Sequence, residues 1–149
     1  MERIFIAADL ENLLTVARRE GRLAPFLDTF VGTVRRIASR GLLLGGVAVC
    51  DTDLQRASAF ALAGLNVRVH ARPNDEPDAA DLRLVEYVLR ERPGSTDTVV
   101  LASGDHIFVD AVVELTEAGH QVVVVATPGR ISHELYRVAT RYVPLDIDA

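Results

Sequence analysis

Four aspartates stand at the ends of the apolar segments of the sequence, where side chains could do chemistry. Asp9 follows "RIFIAA", Asp51 follows "LLLGGVAVC", and Asp105 comes shortly after "TVVLAS". Asp81 opens the helical pattern that follows another apolar segment, "LNVRVH". Carboxylates placed together repel one another unless a cation or a shared proton relieves the charge. Oxygen ligands of this kind suit Mg²⁺ or Mn²⁺, so the pattern indicates metal-dependent chemistry.

Asp81 is the most informative of the four aspartates. It precedes Leu84 and Val88 by three and seven residues, so it belongs to their core-facing stripe of a helix. An acid at the beginning of an apolar face is expected to point toward the edge of a sheet rather than into solvent. Asn12 follows Asp9 by three residues, one helical turn later, and is expected to face the same way.

A purely structural role is the alternative for each of these aspartates. Aspartate is a preferred helix N-cap, and Asp9, Asp81 and Asp105 all lie at or near predicted helix starts. Asp51 fits the cap interpretation best, because "DTD" leads directly into a helix. Three acids that converge on one sheet edge are harder to explain as caps alone. Asp9, Asp81 and Asp105 are therefore the predicted metal-binding set.

Strand and helix patterns alternate along the chain, and they predict how these residues are positioned. The predicted strands are "RIFIAA", "LLLGGVAVC", "LNVRVH", "TVVLAS" and "QVVVVA", with "RYVPL" as a short sixth strand at an edge. The first predicted helix has an inward face of Leu10, Leu13, Leu14 and Ala17, and the second has an inward face of Phe26, Phe30, Val34 and Ile37. Two further helices are predicted, from about Asp53 to Ala63 and from Asp81 to Arg90.

Strands that are apolar throughout indicate a parallel sheet covered on both faces. The sequence therefore predicts a three-layer α/β sandwich with a central, mostly parallel sheet, in a single domain over residues 1–149. In such a sheet, ligands bind beyond the carboxyl ends of the strands, where the strand order reverses. The polar loop Ala71 to Ala80 is expected at the rim of that site.

The composition excludes some classes of function. The formal net charge of the 149 residues is -5, which argues against a protein that coats nucleic acid through surplus positive charge. The apolar runs are too short to cross a bilayer, and no secretory signal pattern opens the sequence, so we expect a cytoplasmic protein that does not associate with a membrane. The single cysteine, Cys50, ends a buried strand pattern and is expected to be a packed, inert thiol.

Three segments of the sequence carry a family resemblance. The stretches "FIAADLENL", "AADLRLV" and "VVLASGDHIFVDAVVELTEAGHQVVVVA" resemble, in order and spacing, the signature segments of NYN domains, which are PIN-like metal-dependent ribonucleases. The segment "ISHELYRVATRYVPL" is similar to the closing helix and last strand of that family. The resemblance implies a Rossmann-like sheet of order 3-2-1-4-5, which would bring Asp9 and Asp105 together. It also implies that Asp9, Asp81 and Asp105 bind the metal and that Asn12 and Ser103 support them.

The sequence departs from the family pattern at several positions. Where relatives usually carry a second aspartate after the SGD motif, this chain has Ile107, and where they carry an alanine–aspartate pair it has Ala139 and Thr140. The acidic stretch "NDEPD" stands where a basic residue often precedes the central aspartate. The thinner acidic set favours one bound Mg²⁺ or Mn²⁺ ion over two. Ile107 is expected either to overlook the crevice or to pack beneath Phe108 and Val112.

The expected activity is cleavage of RNA phosphodiester bonds by metal-activated water at Asp9, Asp81 and Asp105. His106 is a candidate substrate contact or proton carrier because it directly follows Asp105. The alternative is a catalytically degraded NYN domain that binds RNA or a protein through the same crevice, and Ile107 favours it. A domain that binds a small phosphorylated ligand is a third interpretation, but no G-x-G-x-x-G or P-loop pattern follows a strand. The expected partners are RNA and, beyond it, a protein or a second copy of the chain.

Overall fold

The computed structural model describes residues 1–146 and contains a six-stranded, all-parallel sheet. The strands are β1 (Arg3–Asp9), β2 (Leu42–Cys50), β3 (Val67–Ala71), β4 (Thr98–Ala102), β5 (Gln121–Ala126) and β6 (Arg141–Pro144). Their order across the sheet is β3-β2-β1-β4-β5-β6, and every neighbouring pair is parallel. The predicted strands and the order 3-2-1-4-5 are confirmed, with β6 as the added edge strand beside β5.

Helices cover both faces of the sheet. They are α1 (Leu10–Leu13), α2 (Thr15–Arg19), α3 (Leu23–Ile37), α4 (Thr52–Ala63), α5 (Ala79–Glu86), α6 (Val109–Glu117) and α7 (His133–Val138). A π-helical turn, Tyr87–Glu91, extends α5, and a 3₁₀ turn, His106–Phe108, precedes α6. In residues 1–146, no helix is both long enough and apolar enough to span a membrane.

Two apolar cores, one on each face of the sheet, make this a three-layer sandwich, as the uniformly apolar strands predicted. On one face α1 to α4 pack against the sheet, and Phe26, Phe30 and Val34 are buried there as predicted, with Ile37 half-buried. On the other face, α5 to α7 contribute buried residues such as Leu84 and Val112. Because both faces are covered, the strands need no polar side, and their continuous apolar sequence follows from this.

The helix predicted from Asp81 to Arg90 begins earlier, at Ala79, and continues as a π-helical turn after Glu86. Two further differences from the predicted boundaries have clear physical reasons. The helix after β1 breaks at Leu14 (φ -100°, ψ 3°) into α1 and α2, although all four predicted inward side chains remain buried. The third strand begins at Val67 rather than Leu65, because Leu65 and Asn66 form a turn in which Asn66 adopts a left-handed conformation (φ 57°). Asparagine tolerates that conformation better than most residues.

The strand order reverses between β1 and β4, and this determines where a site can form. From β1 the chain proceeds to β2 and β3 on one side, whereas β4, β5 and β6 lie on the other. All strands run in the same direction, so their carboxyl ends meet at one edge. The residues after β1 and β4 are therefore neighbours at the reversal point, which is where open α/β sheets bind ligands.

Candidate functional site

Asp9, the last residue of β1, is almost completely buried at the reversal point, with 2% of its surface exposed. One carboxylate oxygen, Oδ1, accepts a hydrogen bond from the backbone N–H of Asn12 at 3.2 Å and so caps α1. The other oxygen, Oδ2, accepts a hydrogen bond from the hydroxyl of Ser103 at 3.2 Å. Asp9 is therefore a helix cap and also part of a buried polar cluster.

Asp81 is the direct partner of Asp9. It lies in the first turn of α5, where only 9% of its surface is exposed, and the residue at the cap position is Asp78. The carboxyl groups of Asp9 and Asp81 hydrogen bond to each other. The predicted inward orientation of Asp81 is confirmed, and a cap role does not account for it.

The raised pKa values of the two carboxyl groups favour one proton on the pair when no cation is present. Burial, the hydrogen bond to Asp9 and the charges of Asp9 and Asp105 together raise the pKa of Asp81 to about 8, with burial as the largest cause. Burial also raises the pKa of Asp9. Because Asp9 accepts the hydrogen bond, Asp81 carries the proton at neutral pH. A proton reduces the negative charge of the two carboxyl groups, and a metal ion bound in its place would do the same.

The turn Ser103–Asp105 is fastened to β1 and α1 by side-chain hydrogen bonds. Ser103, fully buried, donates to Asp9 and its Oγ accepts from the backbone N–H of Asp105 at 3.2 Å. The backbone N–H of Gly104 donates to Oδ1 of Asn12 at 3.1 Å. Asn12 and Ser103 therefore connect the turn after β4 to the residues after β1, and they fix the position of Asp105 relative to Asp9.

Asp105 shares the cavity with the Asp9–Asp81 pair but is not part of it. Its Oδ1 accepts a hydrogen bond from the backbone N–H of Ile107 at 3.0 Å, so it caps the following 3₁₀ turn. Its charge raises the pKa of both Asp9 and Asp81. Asp105 thus affects the pair through its negative charge, and its own carboxylate is held by the backbone N–H of Ile107.

A cavity of about 270 Å³ opens above these residues and is strongly acidic. Seven carboxylates line it, together with Asn12, Arg72, Pro77, Ala79 and Ala80; they are Asp9, Glu11, Asp75, Glu76, Asp78, Asp81 and Asp105. The loop after β3 and the first residues of α5 form its rim, within the segment Ala71 to Ala80 that the sequence predicted there. Such a lining repels a phosphodiester unless cations accompany it.

Arg72 is the one basic side chain that lines this cavity within residues 1–146. Its Nη1 lies 2.6 Å from Oε1 of Glu11, and its Nη2 lies 3.2 Å from Oδ1 of Asp75. Arg72 therefore joins α1 to the rim loop.

Glu11 was missed by sequence reasoning because its spacing of two from Asp9 places it off the predicted inward face of a helix. In the structure α1 is a single turn, so the helical spacing of residues does not predict which of its side chains face the cavity.

Two residues highlighted by the sequence lie beside the acidic cavity rather than in it. His106 is 81% exposed at its side chain, with Nδ1 3.3 Å from Oδ1 of Asp105. Ile107 is half-buried and packs against the core formed by α5 to α7. Both line a neighbouring groove. Packing of Ile107 as part of the core is the interpretation that the structure supports.

Thr140 lies at the opposite edge of the sheet. Its Oγ1 accepts a hydrogen bond from the backbone N–H of Val122 at 2.9 Å, near the amino end of β5. Strand register places Val122 level with Phe5 of β1, four residues before Asp9 and about 13 Å away along the strand. The threonine at this position therefore removes no carboxylate from the acidic cavity.

Asp51 and Cys50 have structural roles. Asp51 caps α4 by accepting from the backbone N–H of Leu54 at 2.9 Å, and it forms an ion pair with Arg18 at 2.8 Å. Its expected role as a cap is confirmed. Burial raises the pKa of the Cys50 thiol to about 12, so the thiolate is not populated at neutral pH.

The Asp9–Asp81 pair has the donor chemistry for one divalent cation that keeps water ligands, but the side chains that the structure describes do not form a complete set of protein ligands around an ion. As the side chains stand, residues 1–146 contain no group of three His, Cys, Asp or Glu that could hold a metal ion. The prediction that three carboxylates fall within one coordination sphere is therefore not met by these side chains, and Asp105 instead accepts a hydrogen bond from the backbone N–H of Ile107. Mg²⁺ usually needs only one or two carboxylates, together with water and phosphate oxygens. The Asp9–Asp81 pair meets that requirement.

Comparison with known proteins decides the family. The NYN domain model matches residues 3–146, nearly the whole chain. The chain belongs to the NYN domain family. NYN domains have a PIN-like nuclease fold, as the sequence resemblance implied. A protein of unknown function from Vibrio parahaemolyticus has a similar crystal structure, with a TM-score of 0.70 and 22% identity over 97% of this chain and 93% of that one. That similarity shows the shared fold, and no curated protein matches the sequence.

Gly104→Ala is expected to destabilise this NYN domain. A Cβ at position 104 would collide with the backbone carbonyl of Arg130 and lie 2.9 Å from Cα of Ile131. Overpacking of this kind typically costs about 1–3 kcal/mol, which lowers the melting temperature by roughly 2–4 °C per kcal/mol. Thermal unfolding followed by circular dichroism measures the change. Gly94→Ala is the matched control, because a Cβ there has no neighbour within 4 Å; equal melting curves for both variants would contradict the close approach.

Proposed function

We propose that this NYN domain is a divalent-metal-dependent ribonuclease that cleaves RNA phosphodiester bonds by metal-activated water. The observation that carries the proposal is the hydrogen-bonded carboxyl pair Asp9–Asp81, buried at the point where the strand order reverses. Membership of a family with a PIN-like nuclease fold supports a nuclease over other uses of this crevice. RNA as the substrate and Mg²⁺ or Mn²⁺ as the cofactor are parts of this proposal.

The Asp9 and Asp81 carboxylates would hold a single ion, with Asp105 contributing negative charge in the same cavity. Such an ion polarises a phosphate oxygen and lowers the pKa of a bound water. Both carboxylates would bind the ion in their ionised form, so Asp81 would release its proton to solvent when the ion binds. The hydroxyl of Ser103 keeps Asp9 in position by donating to its Oδ2.

Three side chains in or beside the cavity would position the turn and the substrate, namely Asn12, Arg72 and His106. Asn12 holds the turn at Gly104 in register with α1, so the carboxylate of Asp105 stays at a constant distance from the pair. Arg72 supplies the cavity's guanidinium, which attracts a phosphodiester that the surrounding carboxylates repel. His106 lies at the solvent-exposed side of Asp105, where it can contact substrate.

A second function is a catalytically inactive NYN domain that binds RNA or a protein through the same crevice. The observation that favours it is the lack, within residues 1–146, of three acidic, His or Cys side chains placed as a metal-binding group. In that case the acidic pair would retain its proton and serve only as a buried polar contact. The two functions differ in whether the protein cuts RNA when a divalent cation is present.

The experiment is a cleavage assay on labelled single-stranded RNA with purified protein. We expect cutting in Mn²⁺ or Mg²⁺ and none in EDTA, because the Asp9–Asp81 pair needs the cation to activate water. Asp9→Asn is the inactive control, and a single-stranded DNA of the same sequence tests the preference for RNA. Binding of the RNA without cutting would support the inactive domain, and cutting that survives in Asp9→Asn would reveal a contaminating nuclease.

A further inference from the structure

A second groove, of about 710 Å³, adjoins the acidic cavity on the side of α6 and α7. We name it the His106 groove, and it is lined by His106, Ile107, Val109, Asp110, Ser132 and Glu134. It begins one residue after Asp105, which lines the acidic cavity. Asp105 and His106 are consecutive residues, so the acidic cavity and the His106 groove meet at this step of the chain.

Both walls of the His106 groove are fastened to the turn at Ser103–Asp105. On one side, the backbone N–H of Ile107 donates to Oδ1 of Asp105 at 3.0 Å. On the other, the backbone N–H of Ser132 donates to the carbonyl of Gly104 at 2.8 Å. The hydroxyl of Ser132 also caps α7 by accepting from Leu135 at 3.1 Å. The groove is thus preformed and fixed relative to the acidic cavity, a property that lowers the entropic cost of binding.

Two of the side chains that line the groove suit an aromatic base. His106 presents a solvent-exposed imidazole ring, and the half-buried Ile107 adds an apolar surface beside it. Unstacked RNA bases commonly stack on aromatic side chains, including histidine. Ile107 thus supplies an apolar contact for the face of the base.

Two carboxylates that line the groove accept hydrogen bonds but repel phosphate. Asp110 and Glu134 are exposed carboxylates, and the structure shows neither a hydrogen bond nor an ion pair for either side chain within residues 1–146. Each lies in the first turn of its helix, where a carboxylate interacts favourably with the helix dipole. Two negative charges exclude a second phosphate, whereas they attract the N–H donors of a base.

We propose that the His106 groove binds the base of the nucleotide beside the cleaved phosphate and prefers guanine. The proposal rests on the proposed ribonuclease function for its substrate class. The Watson–Crick edge of guanine carries two adjacent N–H donors, which pair with both oxygens of one carboxylate. Uracil presents two carbonyl oxygens and one N–H at the same edge, so the carboxylates repel it. A good bidentate base contact discriminates by roughly tenfold or more.

The test uses free nucleosides in EDTA, so that neither cleavage nor metal binding enters the result. Guanosine and uridine are titrated into the full chain while the imidazole proton signals are followed by NMR. The chain has 4 histidines, and His106→Ala assigns the signal that belongs to the groove. We expect guanosine to shift the His106 signal with a Kd about tenfold lower than that of uridine.

Paired variants separate the groove from its surroundings. Glu134→Gln should reduce the preference for guanosine to near unity, because it replaces one carboxylate oxygen by a donor. Glu114→Gln, an exposed residue of α6 outside the groove, is the matched control and should leave the preference unchanged. Equal shifts with both nucleosides, no shift with either, or an unchanged preference in Glu134→Gln would overturn the proposal. If the protein cleaves RNA but does not prefer guanosine, only the guanine-binding proposal is wrong. If it prefers guanosine but does not cleave RNA, only the proposed ribonuclease function is wrong.

Discussion

Asp81→Asn is expected to lower the rate of metal-dependent RNA cleavage by about 1,000-fold, equivalent to roughly 4 kcal/mol of transition-state stabilisation. The variant removes one of the two carboxylates of the buried pair and leaves an amide that binds a divalent cation weakly. Asparagine is similar in size and can donate to Asp9, so the fold should be preserved. Single-turnover cleavage of a labelled RNA at saturating Mn²⁺ measures the effect.

Two further substitutions sharpen this prediction. Asp105→Asn should slow cleavage less than Asp81→Asn, because Asp105 lies outside the pair and is held by the backbone of Ile107. Asp28→Asn, an exposed aspartate on α3, should leave the rate unchanged. A rate in Asp81→Asn within threefold of the unsubstituted protein would contradict the assignment of the pair as the catalytic centre.

The stability of the metal-free protein is expected to fall as the pH rises from about 4 to about 8. The pKa of Asp81 in the folded protein is raised from 3.8 to about 8, so the folded state holds a proton that the unfolded state has lost. By linkage, this contribution is fully present below the unfolded pKa and is lost as the pH passes through the folded pKa. After discounting for the solvent-accessible part of the carboxyl group, we expect a loss of about 2 kcal/mol.

Asp81→Asn isolates this contribution from the other titrating groups. In EDTA the variant should have nearly the same stability as the unsubstituted protein at pH 4 and should be more stable at pH 9. Urea unfolding at the two pH values measures the difference. A stability difference between the two proteins that does not change with pH would show that Asp81 carries no shared proton.

The fold could be predicted because its main signals are local. Strands buried on both faces need only apolar residues, and runs such as "QVVVVA" predict them without any long-range information. The break at Leu14 and the turn at Asn66 were not predictable, because a helix pattern continues through the first and a strand pattern through the second. Both depend on how the chain packs against the sheet, and tertiary packing overrides local propensity.

The candidate site could be predicted in part for the same reason. Asp81 was found because its spacing from Leu84 and Val88 revealed an inward face, and the structure places it against Asp9. The contact between the two carboxyl groups depends on side-chain rotamers, and so does the hydrogen bond of Asp105 with the backbone of Ile107. The spacing of residues in the sequence does not predict rotamers. The ion pair of Glu11 with Arg72 joins residues 61 positions apart, so sequence periodicity could not reveal it.

Titration with Mn²⁺, followed by the EPR signal of the free ion, tests the metal centre most directly. We predict one bound ion per chain and release of the proton held by Asp81 at neutral pH, because the cation replaces that proton between the two carboxylates. Asp9→Asn and Asp81→Asn should each weaken the affinity at least about tenfold, whereas Asp28→Asn should not change it. Absence of Mn²⁺ binding to the unsubstituted protein, or equal affinity in all four proteins, would contradict a metal centre at Asp9 and Asp81.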